Sequence, residues 1–234
     1  MKITAIQHNF FTGVYWEELR DRFSSYRSSG AAPGVFRTMV LKEVGDHIRS
    51  WRVVILMGLI LLTCIGSLYT SLTAMSDAGS SGNSDDAFFF LHLFTLSDGS
   101  LPPFFVFIGF LGPLLGISLG FDAVNSEQNR GTLSRLLAQP IPRDYVINTK
   151  FVAALLVISL LFFVLSFAML GAGLVALGIP PTPAEFMRIL SFTMLSIVYV
   201  ALWLNLSVYF SVRFRQPATS ALAGIAVWLF FTVF

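Results

Sequence analysis

Charged side chains in one short segment are the best candidates for chemistry in an otherwise apolar chain. The stretch FDAVNSEQNRGTLSRLLAQPIPRDY, residues 121–145, holds Glu127, Arg130, Arg135 and Arg143 between two long apolar runs. Carboxylate and guanidinium groups form strong, charge-assisted hydrogen bonds with opposite charges on another surface. Glu127 and Arg130 can therefore pair with charges across an interface, if this segment meets another surface.

Residues that could support catalysis or bind a metal are few. The single cysteine, Cys64, lies within an apolar run, so neither a disulfide within the chain nor a cysteine-based metal cluster is predicted. His92 stands among phenylalanines without a second ligand nearby, and His8 and His47 lie outside the apolar runs. The sequence contains no histidine-rich cluster, no paired carboxylates within an apolar run and no serine placed beside a histidine. We therefore predict no catalytic residue, no metal site and no enzyme activity.

The composition indicates an integral membrane protein. Of the 234 residues, 55% are hydrophobic and only 12% are charged, whereas soluble domains carry about a quarter charged residues. The formal net charge of +2 gives no reason to expect a nucleic acid partner. The first long apolar run starts near Val53, too late for a removable signal peptide. We expect an all-α membrane protein whose first span also targets it.

Five apolar runs approach or exceed the roughly 20 residues that a helix needs to cross the hydrocarbon core. They cover residues 53–76, 102–121, 150–178, 187–212 and 217–234. The third run exceeds the thickness of the membrane, so it should tilt, extend into water or break near Gly171 and Gly173. The segment AFFFLHLFTL is too short to span, and it should lie in the outer interface or dip into the bundle. Asp98 could cap the helix that follows.

The basic residues set the orientation, because they stay preferentially on the cytoplasmic side. Fourteen of the fifteen lysines and arginines lie in residues 1–52, in 130–150 and in the turn at 213–215. The alternate loops carry acids and Arg188. The sequence therefore predicts a multi-pass protein of the plasma (inner) membrane with a cytoplasmic amino terminus.

Two amphipathic segments precede the first span. Residues 1–34 combine an aromatic amphipathic helix with a flexible linker, and their role is open. Residues 35–50 predict a helix lying in the cytoplasmic interface. Its apolar positions are Phe36, Val40, Val44, Ile48 and, at its end, Trp51. The alternative is a juxtamembrane helix whose basic residues only set topology.

Small residues follow one face of the second span. Gly109, Gly112, Gly116 and Gly120 recur at helical spacing, which favours close packing of another helix from the same or another chain. Pro113 predicts a kink beside them. In the fourth span, Asn205 is better explained by an interhelical hydrogen bond than by substrate binding.

The charged segment should fold as a broken pair of short helices. Asp122 or Asn125 can cap the first helix, Gly131 interrupts the pair, and Pro140 and Pro142 stop it.

Residues 127–151 resemble the cytoplasmic segment between the second and third spans of ABC-2 type transporter permeases. That segment reads E-x-x-x-G-T-L-x-x-L-L, then a proline, a basic residue and a lysine that opens the next span. The matching positions here are Glu127, Gly131, Thr132, Leu133, Leu136, Leu137, Pro140, Arg143 and Lys150. The chain is similar in particular to the branch with the nitrous oxide reductase maturation permease.

The resemblance covers roughly residues 34–234 and implies a fold and a function. The fold would be an ABC-2, type V exporter-like transmembrane domain over 35–234, with an elbow helix at 35–50 and a coupling segment at 122–143. The ATPase-coupling residues would be Glu127, Arg130, Gly131, Thr132, Leu133, Arg135, Leu136, Pro140 and Arg143. Partners would be an ABC ATPase subunit, a second permease subunit in a homodimer or heterodimer, and lipid. Because the chain has no G-x-x-x-x-G-K-[ST] motif, it would bind no cofactor itself, and ATP and magnesium would sit on the ATPase.

Family members usually have six spans, whereas this sequence stops at AVWLFFTVF within the fifth. We expect the natural chain to continue, and an intact mass of 25.8 kDa would contradict this. The cargo is expected to be hydrophobic or amphipathic, exported outward. Two alternatives remain: an ion-coupled secondary transporter or channel, which usually carries ionisable residues inside its spans, and a membrane assembly subunit without transport activity.

Overall fold

Helices make up the regular structure of the protein. A computed structural model describes residues 34–79, 89–132, 143–178 and 180–234, and no strand occurs among them. The helices in chain order are α1 (Val35–Arg49), α2 (Trp51–Gly79), α3 (Phe89–Thr95), α4 (Phe104–Gly120), α5 (Asn125–Asn129), α6 (Arg143–Leu177), α7 (Pro183–Arg213) and α8 (Pro217–Val233).

Four stretches of helix are long and apolar enough to cross a membrane. They are α2, α4 continued through α5, α6 and α7. The predicted all-helical membrane architecture is confirmed. The fifth predicted span corresponds to α8, whose 17 residues extend about 26 Å at 1.5 Å per residue.

The third predicted span is one unbroken helix. With 35 residues, α6 starts seven residues before Lys150 and runs straight through Gly171 and Gly173, so the break near these glycines is not present. Gly173 lies where a short helix presses against α6. A Cβ at Gly173 would come within 2.4 Å of Leu93, so only glycine fits there without a shift.

That short helix, α3, dips into the bundle, one of the two positions predicted for it. Phe90, Leu93 and Phe94 are each at most 2% exposed. The Phe90 amide donates a 2.9 Å hydrogen bond to the Glu185 carboxylate. Glu185 also completes the capping box of α7 with Thr182, which donates through its amide and its hydroxyl. The amino-terminal ends of α3 and α7 are therefore fastened together.

Helix α4 forms the centre of the bundle. It contacts α2, α7 and α8, and its buried residues include Phe104, Ile108, Leu115 and Leu119. The prediction that Asp98 caps α4 is wrong. Pro103 occupies the cap position without a side-chain hydrogen bond, while Asp98 accepts the Ser100 amide at 2.9 Å.

Candidate functional site

A cluster of three charged side chains joins three elements at the end of the bundle where α1 packs against α6. Lys150 of α6 donates to Glu127 of α5 at 2.7 Å and to Glu43 of α1 at 3.1 Å. The lysine is only 8% exposed. We call Glu43, Glu127 and Lys150 the ion cluster.

The ion cluster fixes the relative positions of α1, α5 and α6. A buried ammonium needs compensating charge, and two carboxylates supply it here. The second oxygen of Glu127, Oε2, is buried and has no hydrogen-bond partner among the described residues. Removing the lysine would leave two carboxylates close together with no cation between them, so the three elements would separate or draw in water.

A second ion pair joins the first two spans at the same end. Arg52, at the start of α2, donates to Asp122 at 2.7 Å. Its guanidinium also lies 4.9 Å from the centre of the Phe121 ring, within cation–π range. Asp122 is therefore used for an ion pair rather than for the predicted helix cap. Asn125 does not cap either, because Val124 holds that position and the Asn125 side chain donates to the Phe121 carbonyl.

A polar cavity of about 450 Å³ lies between these elements. Its charged lining balances, with four acids and four permanent cations. They are Glu43, Asp46, Asp122 and Glu127, and Lys42, Arg52, Arg130 and Lys150. Among the described residues, no group of three or more metal-ligating side chains is placed to hold a metal ion. The cavity thus lies between elements that ion pairs join, and its lining is rich in charged side chains.

His47 lines the cavity, and the charged groups around it affect its pKa. Burial lowers the pKa of His47 below its ordinary value of 6.5, and the Lys150 charge lowers it further, against the raising effects of Glu43, Asp122 and Asp46. His47 is therefore neutral at pH 7. As the pH falls, His47 is protonated in the unfolded chain before it is protonated in the folded protein. The contribution of neutral His47 to the stability of the folded protein is therefore complete above about pH 6.5 and is lost as the pH falls below that value.

Hydrogen bonds join α4 and α5 to α7 along nearly their whole length. Tyr199 donates to the Gly109 carbonyl at 3.1 Å and Ser207 to the Ile117 carbonyl at 3.0 Å. Further in, the Ser211 hydroxyl accepts the Val124 and Asn125 amides at 2.9 and 3.3 Å. The Asn129 side chain ends the series on the Arg215 carbonyl at 3.2 Å. The paired residues stay 86 to 90 positions apart, so α5 continues the direction of α4 beside α7.

We call the contact between α4 and α7 the seam. Three of the four glycines predicted for helix packing lie on it. A Cβ on Gly116 would come within 2.8 Å of the Val200 carbonyl oxygen, and one on Gly120 within 2.9 Å of the Leu204 carbonyl oxygen. A Cβ on Gly112 would come within 2.9 Å of a Val200 methyl group. Gly109 is different, because no atom lies within 4 Å of its Cβ position. The backbones of α4 and α7 can approach because these positions lack a side chain.

The described part of the predicted coupling segment has a defined geometry. Glu127 faces Lys150 of its own chain and not outward, contrary to the pairing expected across an interface. Arg130 is exposed, Gly131 takes a positive φ of 68°, and Thr132 donates to the Glu127 carbonyl at 3.2 Å. Arg143 is the first residue of α6. Leu133, Arg135, Leu136, Leu137 and Pro140 lie outside the described residues, as do residues 1–33 and the helix predicted there.

The apolar stripe of α1 divides into two parts. Val40 is buried, and the Phe36 ring meets the Tyr145 ring of α6 edge to face at 5.5 Å. Val44 is partly buried. Ile48 and Trp51 are 51% and 77% exposed, so they face away from the bundle at the start of the first span. Asn205 of α7 is also exposed and makes no hydrogen bond with a described residue.

The fold and the site define a multi-pass helical membrane protein with an ion-paired polar site where α1, α5 and α6 meet. Among models of known protein families, the ABC-2 family transporter protein model matches residues 37–234. The chain belongs to the ABC-2 family of transporter proteins. No curated protein matches it.

Proposed function

We propose that the chain is the permease subunit of an ATP-binding cassette exporter. It works with a separate ATPase subunit, which binds ATP and magnesium, and with a second permease subunit, identical or different, in the plasma membrane. In this proposal α1 is the elbow helix and residues 122–143 form the coupling segment. Both lie on the cytoplasmic side. The cargo is hydrophobic or amphipathic, and the resemblance to the nitrous oxide reductase maturation branch stays a prediction.

The attachment of α5 carries this proposal. Hydrogen bonds to Ser211 and Arg215 tie α5 to α7, and Glu127 ties it to Lys150. A segment held on both sides cannot move alone, so a push on α5 would pass to α7 through these hydrogen bonds and to α1 and α6 through the ion cluster. A permease without its own nucleotide-binding motif needs such an element to receive motion from an ATPase.

The first test is co-purification followed by an ATPase assay. The tagged chain, extracted in mild detergent, should retain a stoichiometric protein with a phosphate-binding loop, and replacing residues 125–142 by a Gly/Ser linker should release it. A chain that purifies alone without ATPase activity would contradict the proposal and favour the channel or assembly alternatives.

The second test asks whether Glu127 transmits motion. Glu127→Ala should leave membrane insertion intact and lower cargo-stimulated ATP hydrolysis severalfold, because Lys150 loses one of its two carboxylates. Gly131→Leu should act in the same direction, because a side chain is strained at a φ of 68°. Gln128→Ala is the matched control, since that side chain is exposed and belongs to no described contact. Equal stimulation in all three variants would remove the coupling role.

A further inference from the structure

The lining of the polar cavity contains charged groups that the chain itself uses only weakly. Arg130 is exposed and forms no ion pair with a described residue. Lys42 and Asp46 are one turn apart on α1, and their exposed side chains approach each other only to 4.0 Å. An exposed pair of this kind contributes little to stability, so exchanging it for contacts with a ligand costs little. The cavity therefore offers two cations and one carboxylate to a ligand.

The remaining charges of the lining are engaged with one another. Arg52 pairs with Asp122, and Lys150 lies between Glu43 and Glu127. Because the lining as a whole holds equal numbers of acids and permanent cations, a ligand with a net charge would unbalance the site. A ligand that carries one cation and one anion keeps the balance. The cavity volume of about 450 Å³ lies within the range of about 300–1,000 Å³ that is typical of small-molecule sites.

The polar cavity lies at the level where three spans leave the apolar part of the bundle. Its lining includes Arg52, the second residue of α2, and Leu119, the last but one residue of α4. It also includes Lys150, at the start of the third apolar run. Lipid headgroups occupy this level of a membrane. The position of the cavity therefore favours a headgroup as the ligand.

An exposed apolar face of α2 starts beside the cavity. Trp51, Ile55 and Leu62 share this face at helical spacing, and each is more than half exposed. Ser50 and Arg52, the residues on either side of Trp51, line the cavity. In a membrane such a face contacts acyl chains. A phospholipid whose headgroup occupies the cavity can therefore lay an acyl chain along α2, which gives it an advantage over a soluble phosphate compound.

We propose that the polar cavity binds the headgroup of phosphatidylethanolamine. Arg130 and Lys42 bind the phosphate, and Asp46 accepts hydrogen bonds from the primary ammonium. The headgroup carries one charge of each sign, so its binding leaves the charge balance of the lining unchanged. Phosphatidylcholine has no N–H donor for Asp46, and phosphatidylglycerol has no cation. The bound lipid bridges α1 and the residue that follows α5, and its binding requires no ATPase subunit.

The test measures the affinity for the first bound lipid by native mass spectrometry. The full chain, with any subunits that co-purify in mild detergent, is titrated with phosphatidylethanolamine, phosphatidylcholine and phosphatidylglycerol of identical acyl chains. Phosphatidylethanolamine should bind about tenfold more tightly than the other two, because only its ammonium donates charged hydrogen bonds to Asp46. Equal binding of all three lipids, or a preference for phosphatidylglycerol, would overturn the inference.

Two variants separate recognition of the phosphate from recognition of the ammonium. Arg130→Gln should weaken the binding of all three lipids severalfold, because they share the phosphate. Asp46→Ala should weaken only phosphatidylethanolamine and remove its preference. Arg49→Gln is the matched control and should keep the preference, as Arg49 is exposed on α1 and does not line the cavity. If both cavity variants keep the wild-type affinity for phosphatidylethanolamine, the lipid binds elsewhere and the inference fails.

Soluble glycerophosphoethanolamine distinguishes a lipid from a free metabolite as the source of the headgroup. It carries the same phosphate and ammonium without acyl chains. It should therefore compete with phosphatidylethanolamine only at concentrations about a hundredfold higher or more, because it cannot use the apolar face of α2. Competition at equal concentrations would assign the cavity to a soluble ligand and overturn the lipid proposal.

Discussion

Lys150 is the residue on which the site depends most, because two carboxylates from distant parts of the chain share it as their cation. A buried charge of this kind is stable only while its partners remain. Lys150→Met should therefore destabilise the protein by about 3–5 kcal/mol, read as a lower apparent Tm in detergent. Lys42→Met is the control, because its 4.0 Å pair with Asp46 is exposed and pairs of this kind contribute about 0–1 kcal/mol.

The same experiment has an internal check. Adding Glu43→Gln and Glu127→Gln to Lys150→Met removes the uncompensated charges and should restore much of the lost stability. If Lys150→Met and Lys42→Met lower the apparent Tm equally, the ion cluster does not hold the inner end together.

At this scale the sequence motif pointed to Glu127 and Lys150, but neither to the contact between them nor to Glu43. Glu43 lies 107 residues from Lys150, and nothing in the local pattern of α1 distinguishes it from Asp46 or Lys42. The role of Ser211 was equally hard to predict, since a serine within an apolar run is common. Only the path of α5 beside α7 lets its hydroxyl accept hydrogen bonds from two backbone amides.

At the scale of elements, the seam between α4 and α7 decides how the bundle moves. Small residues at helical spacing indicated close packing but not which helix would fill the face. Adding one methyl group at Gly116 should force the helices apart and destabilise the protein by about 1–3 kcal/mol, because the new carbon would lie 2.8 Å from a carbonyl oxygen of α7.

Gly109→Ala makes the same chemical change on the same helix, where no atom lies within 4 Å of the new carbon. The two variants are compared by thermal unfolding in detergent. A loss of stability at Gly109 as large as that at Gly116 would mean that helix propensity or the detergent, and not the seam, governs the effect.

Helix positions were more predictable than helix ends. Apolar length placed the spans, because a helix in lipid must satisfy its own backbone hydrogen bonds. The exact residues at which the helices begin and end were harder to predict from the sequence. Helix α6 begins seven residues before the predicted span, so it continues past Lys150 of the ion cluster. Helix α7 begins at the capping box of Thr182 and Glu185, four residues before the predicted span.

At the scale of the whole molecule, the distribution of basic residues predicts which end faces the cytoplasm. In a Cys64→Ser background, Ser100→Cys should react with a membrane-impermeant maleimide in intact cells, and Gln216→Cys should react only after permeabilisation. Both positions are exposed, at opposite ends of the bundle. The reverse labelling pattern would place the ion cluster and α5 outside the cell and exclude a cytoplasmic ATPase as the partner of the coupling segment.

The buried carboxylate of Glu185 gives the molecule a pivot. It fastens α3 to the amino-terminal end of α7, while Ser211 near the opposite end of α7 accepts hydrogen bonds from the start of α5. Helix α7 has 31 residues, about 46 Å at 1.5 Å per residue. A rotation of about 5° about the fixed amino-terminal end would carry the opposite end of α7 about 4 Å, because displacement grows with distance from the pivot. A small angular change at the Glu185 end would thus become a translation of several ångströms where α7 contacts α5.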